Sequence, residues 1–288
     1  MPVEFSVAAF RFGHSMVRPS YALRRNDPSV GGGNSVQSFT ADGRFHRIPI
    51  FSDRVEADVS LNGFGPLPDN WEIDWNLFFC TGEMPTEMTQ SGPDKGVLGV
   101  RAQTDTQATQ PGYRIDTQLV DPLAMLPPDV VSDGIPTLAY RNLLRGSAFA
   151  LPSGQNVARA LGLTVLSEAE LWADTAGGER GHDFSDGTSN PFARRAPLWF
   201  YILKEAELTR KAHVHDGKGG HHLGPVGGRI VAEVLVGIAY NDHTSFLYQD
   251  RDWTPHTERD RSGFDPGTPI TTMFQLINWT TKGTMTLR

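Results

Sequence analysis

The chain has 288 residues, enough for one domain over 1–288 with a sizeable core, and its formal charge of −7 excludes the general basic surplus that a nucleic-acid backbone attracts. Cys80 is the only cysteine, so no intramolecular disulfide can form and nothing marks an oxidising compartment. No stretch approaches the roughly 20 apolar residues of a membrane span, and the amino terminus shows no charged-then-apolar leader, which makes a cytoplasmic location the default expectation.

In chain order, Phe5, Ala8, Ala9, Phe12 and Met16 recur at helical spacing and predict a helix running toward Tyr21 with one face buried. Residues 25–33 are polar and glycine-rich, a loop. Asp42-Gly43 supplies a turn between short runs, so Phe39–Phe45 is expected to form a small β-hairpin. The aromatic run from Trp71 to Phe79 reads as a buried helix, and 82–112, with turn formers and little periodicity, as loop. Helices are expected over Tyr140–Phe149 and Ser153–Leu161, the second opened by Pro152-Ser153. Over Pro197–Ala212 the pattern places Leu198, Ile202 and Leu208 inside and Glu205 and Lys211 outside. Pro225–Tyr240 is apolar nearly all round and reads as the central helix. Residues 174–195 and 250–268 read as surface loops, and Ile270–Trp279 as a closing helix. The fold class is mainly α, with long loops demanded by 30 glycines and 20 prolines.

Two sets of residues carry possible chemistry. Arg11 and His14 stand one turn apart on the first helix, and a buried cation and imidazole both need partners. An imidazole so held could bind haem iron through one ring nitrogen, with the arginine left to meet a carboxylate. A packed core histidine is the more ordinary outcome of the same pattern. The second set is His213, His215, His221 and His222, four imidazoles within ten residues that could bind zinc or nickel. A solvated, glycine-rich loop is the more ordinary outcome of this pattern too.

The string from Ala9 to Pro19, AFRFGHSMVRP, resembles the proximal-histidine helix of the animal-type haem peroxidases, the superfamily of myeloperoxidase, peroxidasin and cyclooxygenase with bacterial relatives. Asn142-Leu-Leu-Arg145 followed by Leu151-Pro152 resembles the family segment in which an Asn, and an Arg three residues on, precede a Leu-Pro pair. Leu223-Gly224-Pro225 is similar to a helix start near the family's C-terminal end. The resemblance implies a helical domain built like the proximal half of such a peroxidase, holding haem b. His14 would be the axial iron ligand. Asn142 would orient it, its amide oxygen accepting the Nδ1 proton, and Arg145 and Arg11 would pair with haem propionates. The implied reaction is peroxide-dependent oxidation of an organic or halide donor, with peroxygenase or dioxygenase chemistry as family variants.

The chain also departs from the family pattern. Between Arg145 and Leu151-Pro152 the family's Arg-Asp-His-Gly run is replaced by Gly146-Ser-Ala-Phe-Ala150, which suits a divergent bacterial branch. In the family the proximal helix lies in the second half of the domain. The distal histidine and arginine and the calcium site therefore have no counterpart in this segment, and a missing N-terminal half is the implied partner. His46, His182, His243 and His256 stand in loop or hairpin segments without a helical arginine beside them, and none is assigned a distal role. A non-catalytic haem- or metal-binding protein is the alternative reading.

Overall fold

The computed structural model describes residues 1–21, 23, 48–51, 60–63, 73, 75, 78, 79, 112–172, 192, 194–209, 219–250, 252–254, 256 and 269–280. Helices dominate these residues: α1 (Val3–Val7), a 3-10 helix (Ala9–Phe12), α2 (Gly13–Met16), α3 (Asp121–Ala124), α4 (Leu138–Ala148), α5 (Gly154–Ala160), α6 (Glu168–Trp172), α7 (Leu198–Leu208), α8 (Pro225–Asn241), α9 (Phe246–Gln249) and α10 (Met273–Thr280). The strands described are β1 (Ser20–Tyr21) and β2 (Ile48–Pro49), an antiparallel pair with Ser20 opposite Pro49 and Tyr21 opposite Ile48. The hairpin expected at Phe39–Phe45 and the loop at 25–33 lie outside the described residues, as do nearly all of 82–112, 174–195 and 257–268.

α7 is the hub. It packs against the 3-10 helix, α4, α5, α6 and α8, and its buried side chains Leu198, Trp199, Tyr201, Ile202, Leu203 and Ala206 centre the main core. Gly154 lets α5 approach it, because a Cβ there would stand 2.1 Å from Tyr201 Cγ. Ser153 caps α5, its Oγ accepting from Asn156 N at 3.3 Å, as the Pro152-Ser153 start implies. A smaller cluster of Ile50, Tyr113, Val120, Leu123 and Leu126 lies under α3.

Three expectations are corrected. The first helix is broken into α1, a 3-10 turn and α2, because Ala8 leaves helical geometry at φ −127°, ψ −69°. Its apolar face survives: Phe5, Ala8 and Ala9 are core, with Phe12 and Met16 packed against it. Of Trp71–Phe79 only residues 73, 75, 78 and 79 are described: Phe78 N and Phe79 N both donate to Trp75 O at 3.0 Å, a helical turn, but Ile73 and Trp75 are exposed rather than buried. α8 is not central, since only Val226, Gly227 and Ile230 are buried along it. No helix among the described residues is long and apolar enough to cross a membrane.

Glu205, expected outside, is 4% exposed and reaches the start of α8. Its Oε2 accepts from Val226 N at 2.8 Å and Gly227 N at 3.4 Å. Gly224-Pro225 opens α8 without a side-chain cap of its own, and those first amides need an acceptor from elsewhere. The glycine also makes room, for a Cβ at Gly224 would stand 2.4 Å from Glu205 Cγ. Burial pushes the Glu205 carboxyl up to about 7, against the lowering effect of the two amides.

Candidate functional site

His14 lies on α2, half-buried, and the short helix is fixed from its far side. Ser15 Oγ donates to Asp116 O at 2.8 Å and receives Asp116 N at 2.9 Å, while Tyr113 N donates to Met16 O at 2.9 Å. The 113–116 segment is held in turn by Ile115 N, which donates to Gly220 O at 2.8 Å, and Gly220 N donates to Ala206 O at the end of α7. Gly220 has φ +84°, and a Cβ there would meet Ile115 O at 2.8 Å, so glycine is required twice over. From the other side Trp199 Nε1 donates to Arg11 O at 3.2 Å. The helix carrying His14 is thus clamped between the core and the 113–116 segment, and neither anchor is legible from the motif alone.

The structure brings Asn142 to His14 across 128 residues: Asn142 Nδ2 stands 3.0 Å from His14 Nδ1. Asn142 is 1% exposed on the inner face of α4. Its Oδ1 accepts from Arg11 Nη1, and Arg11 Nε donates to Ser6 O at 3.2 Å. This reverses the amide orientation expected from the sequence. Guanidinium only donates, so it claims the amide oxygen and leaves the amide nitrogen, also a donor, to face the ring. Nδ1 of His14 must then accept, and in the neutral ring the proton sits on Nε2.

Arg145 lies one turn beyond Asn142, exposed, with its guanidinium over the Phe149 ring at 5.5 Å. Arg11 and Arg145 repel each other, and burial together with that repulsion lowers the Arg11 pKa. Burial first, then the Arg11 charge, also holds His14 below the usual histidine range, so the ring is neutral at pH 7. Among the described residues neither arginine has a carboxylate partner and His14 Nε2 has no hydrogen-bond partner. A neutral imidazole, two cations without a carboxylate partner among the described residues and the exposed ring of Phe149 therefore share one neighbourhood. That donor set suits an apolar ligand bearing carboxylates and a metal with an open axial position. A cavity of about 350 Å³ borders Asn142 and Gly146 on α4, with Trp199 and Arg195 also in its wall.

Of the other candidates, His213 and His215 lie outside the described residues, as do His46 and His182. His222 Nδ1 donates to Leu223 O at 2.7 Å, and no group of three metal-ligating side chains occurs among the described residues. His243 packs edge-on to Tyr248, and His256 Nδ1 donates to Thr254 O at 2.6 Å. Comparison with protein-family models yields no match, and comparison with curated proteins yields none either.

Proposed function

We propose that this chain binds haem through His14 and belongs to a peroxide-dependent oxidoreductase of the haem peroxidase kind. The observation that carries the reading is the meeting of His14, Asn142 and Arg11, from segments 128 residues apart, beside Arg145 and with no carboxylate partner for either arginine among the described residues. Haem, when bound, supplies the iron at which peroxide-dependent oxidation of a donor takes place. His14 would be its axial ligand, and its lowered pKa keeps the ring in the neutral form that can ligate. Arg145 would meet one propionate, and Arg11 another on leaving Asn142. Asn142 then orients the ring from within the core, a buried partner of the sort that tunes ligand basicity. No residue of the chain is assigned a distal role, so weak turnover is expected from this chain by itself.

The test is a haem titration of the purified chain followed at the Soret band, then peroxide with a one-electron donor. Saturable binding that His14→Ala abolishes is the expected result. A normal spectrum retained in His14→Ala would remove the ligand assignment and the function with it.

A further inference from the structure

We infer that Arg11 is a positioning residue that sets the tautomer of His14, so that capture of an anion by Arg11 and ligation by His14 Nε2 are coupled through a turnover of the Asn142 amide. The inference rests on the haem reading for the identity of the anion and the metal, but its first step concerns only the chain itself.

Asn142 is enclosed, and among the described residues each end of its amide has one hydrogen-bond neighbour: Arg11 at Oδ1 and His14 Nδ1 at Nδ2. Turning the amide over while Arg11 stays in place would set a guanidinium N–H against an amide N–H at a side chain only 1% exposed, and a hydrogen bond left unmade there is costly. Arg11 therefore dictates the orientation, and the orientation dictates the ring. With Nδ2 donating, Nδ1 keeps its lone pair, the proton stays on Nε2, and the nitrogen that should face a metal has no lone pair to give.

Arg11 is also the residue with reason to leave. It is half-buried beside a second cation, Arg145, and has no carboxylate partner among the described residues. A carboxylate arriving at this pair offers a charge-assisted bond in place of a neutral amide oxygen. Once Arg11 turns to it, Asn142 Oδ1 is free to take the position of Nδ2 and accept from His14. The proton balance is simple: Nε2 releases a proton to solvent, Nδ1 takes one from solvent, the ring stays neutral and Arg11 keeps its charge. Nε2 then presents a lone pair. The site is closed to metal ions that arrive without carboxylates and opens to a ligand that brings both.

The experiment uses the full chain without haem, labelled with ¹⁵N-histidine, at pH 8, with the His14 signals identified by their loss in His14→Gln. In the wild type Nδ1 is expected to be the pyridine-like nitrogen and Nε2 the protonated one. Arg11→Met should shift the ring toward the Nδ1–H form, whereas Arg11→Lys, which keeps a donor, should preserve the wild-type pattern. Metal-free protoporphyrin, which carries both propionates and no iron, should raise the Nδ1–H form of the wild type from a minor population, about 10% or less, to the major one. Its dimethyl ester should leave the ring unchanged. A wild-type ring protonated at Nδ1, an Arg11→Met spectrum identical to the wild type, or no response to protoporphyrin would each overturn the proposal. The wild-type spectrum needs no variant to fold. The tautomer in the free chain is read without any metal, so its failure leaves haem binding standing, and a failed haem titration leaves the tautomer result standing.

Discussion

Among the described residues α7 and α8 are the two long apolar helices, adjacent in space, and they are treated in opposite ways. α7 is buried from Tyr201 to Glu207, charged residues included, with Lys204 Nζ 3.1 Å from Glu207 Oε1 and Glu205 reaching across to α8. α8 is covered only over its first turns, and farther along Leu235, Val236, Ile238 and Tyr240 are 51–59% exposed. Hydrophobic content does not separate the two. What separates them is partners: α7 has neighbours on every side and its polar groups have bonding partners within the fold, whereas α8 is held at one end by a carboxylate from α7.

The contrast is broken most strongly at Tyr201. This ring is fully enclosed and its hydroxyl accepts Leu166 N at 2.9 Å, so Tyr201→Ala should cost about 3–5 kcal/mol in chemical denaturation. A loss below about 1 kcal/mol would show that α7 is not the hub. The clamp between the helices comes next. Glu205 is held near 7 in the folded chain against 4.5 for the free side chain. Between these values the unfolded chain gives up its proton while the folded one keeps it, so stability is greatest below about pH 4.5 and falls as pH rises through 7. The change attributable to Glu205 is on the order of 3 kcal/mol, and Glu205→Gln should remove it from a stability-versus-pH curve. His14 titrates with the opposite sign, its lowered pKa costing stability as pH falls below 6.5, so the subtraction of the Gln variant is the informative quantity. At the exposed end of α8, Leu235→Ser should change stability by no more than about 0.5 kcal/mol. A larger loss would mean that this face is covered.

The same contrast shows what a sequence can and cannot tell. The helices at 138–148, 154–160, 198–208, 225–241 and 273–280 follow from periodicity, caps and Gly-Pro punctuation, because those signals are local. The burial of Glu205 does not, since a carboxylate in a helical pattern reads as solvent-facing until the uncapped start of another helix is brought beside it. Arg11 and His14 stand out by residue type and spacing, whereas Asn142, its meeting with His14 and the role of Arg145 come only from the family resemblance. The amide orientation could not be read at all, since it depends on which donor reaches Asn142, a question of three dimensions. Ala150 is a smaller example. It takes φ +50° just after α4, where glycine is the usual residue, and Ala150→Gly should raise stability by up to about 1 kcal/mol in thermal unfolding.

Asn142 links the stability account to the site. Asn142→Ala removes the amide oxygen that would accept the His14 Nδ1 proton once Arg11 has turned away, and it should weaken haem affinity by about tenfold, in line with the loss of one buried hydrogen bond. Unchanged affinity and an unchanged reduction potential would remove Asn142 from the site.

The central claim is that His14 is the axial ligand, and the most direct measurement is the iron–histidine stretching band in the resonance Raman spectrum of the ferrous, haem-loaded chain. The band should be present in the wild type, absent in His14→Gly, and restored when free imidazole is added to that variant. The same band persisting in His14→Gly without imidazole would place the ligand on another residue and contradict the account.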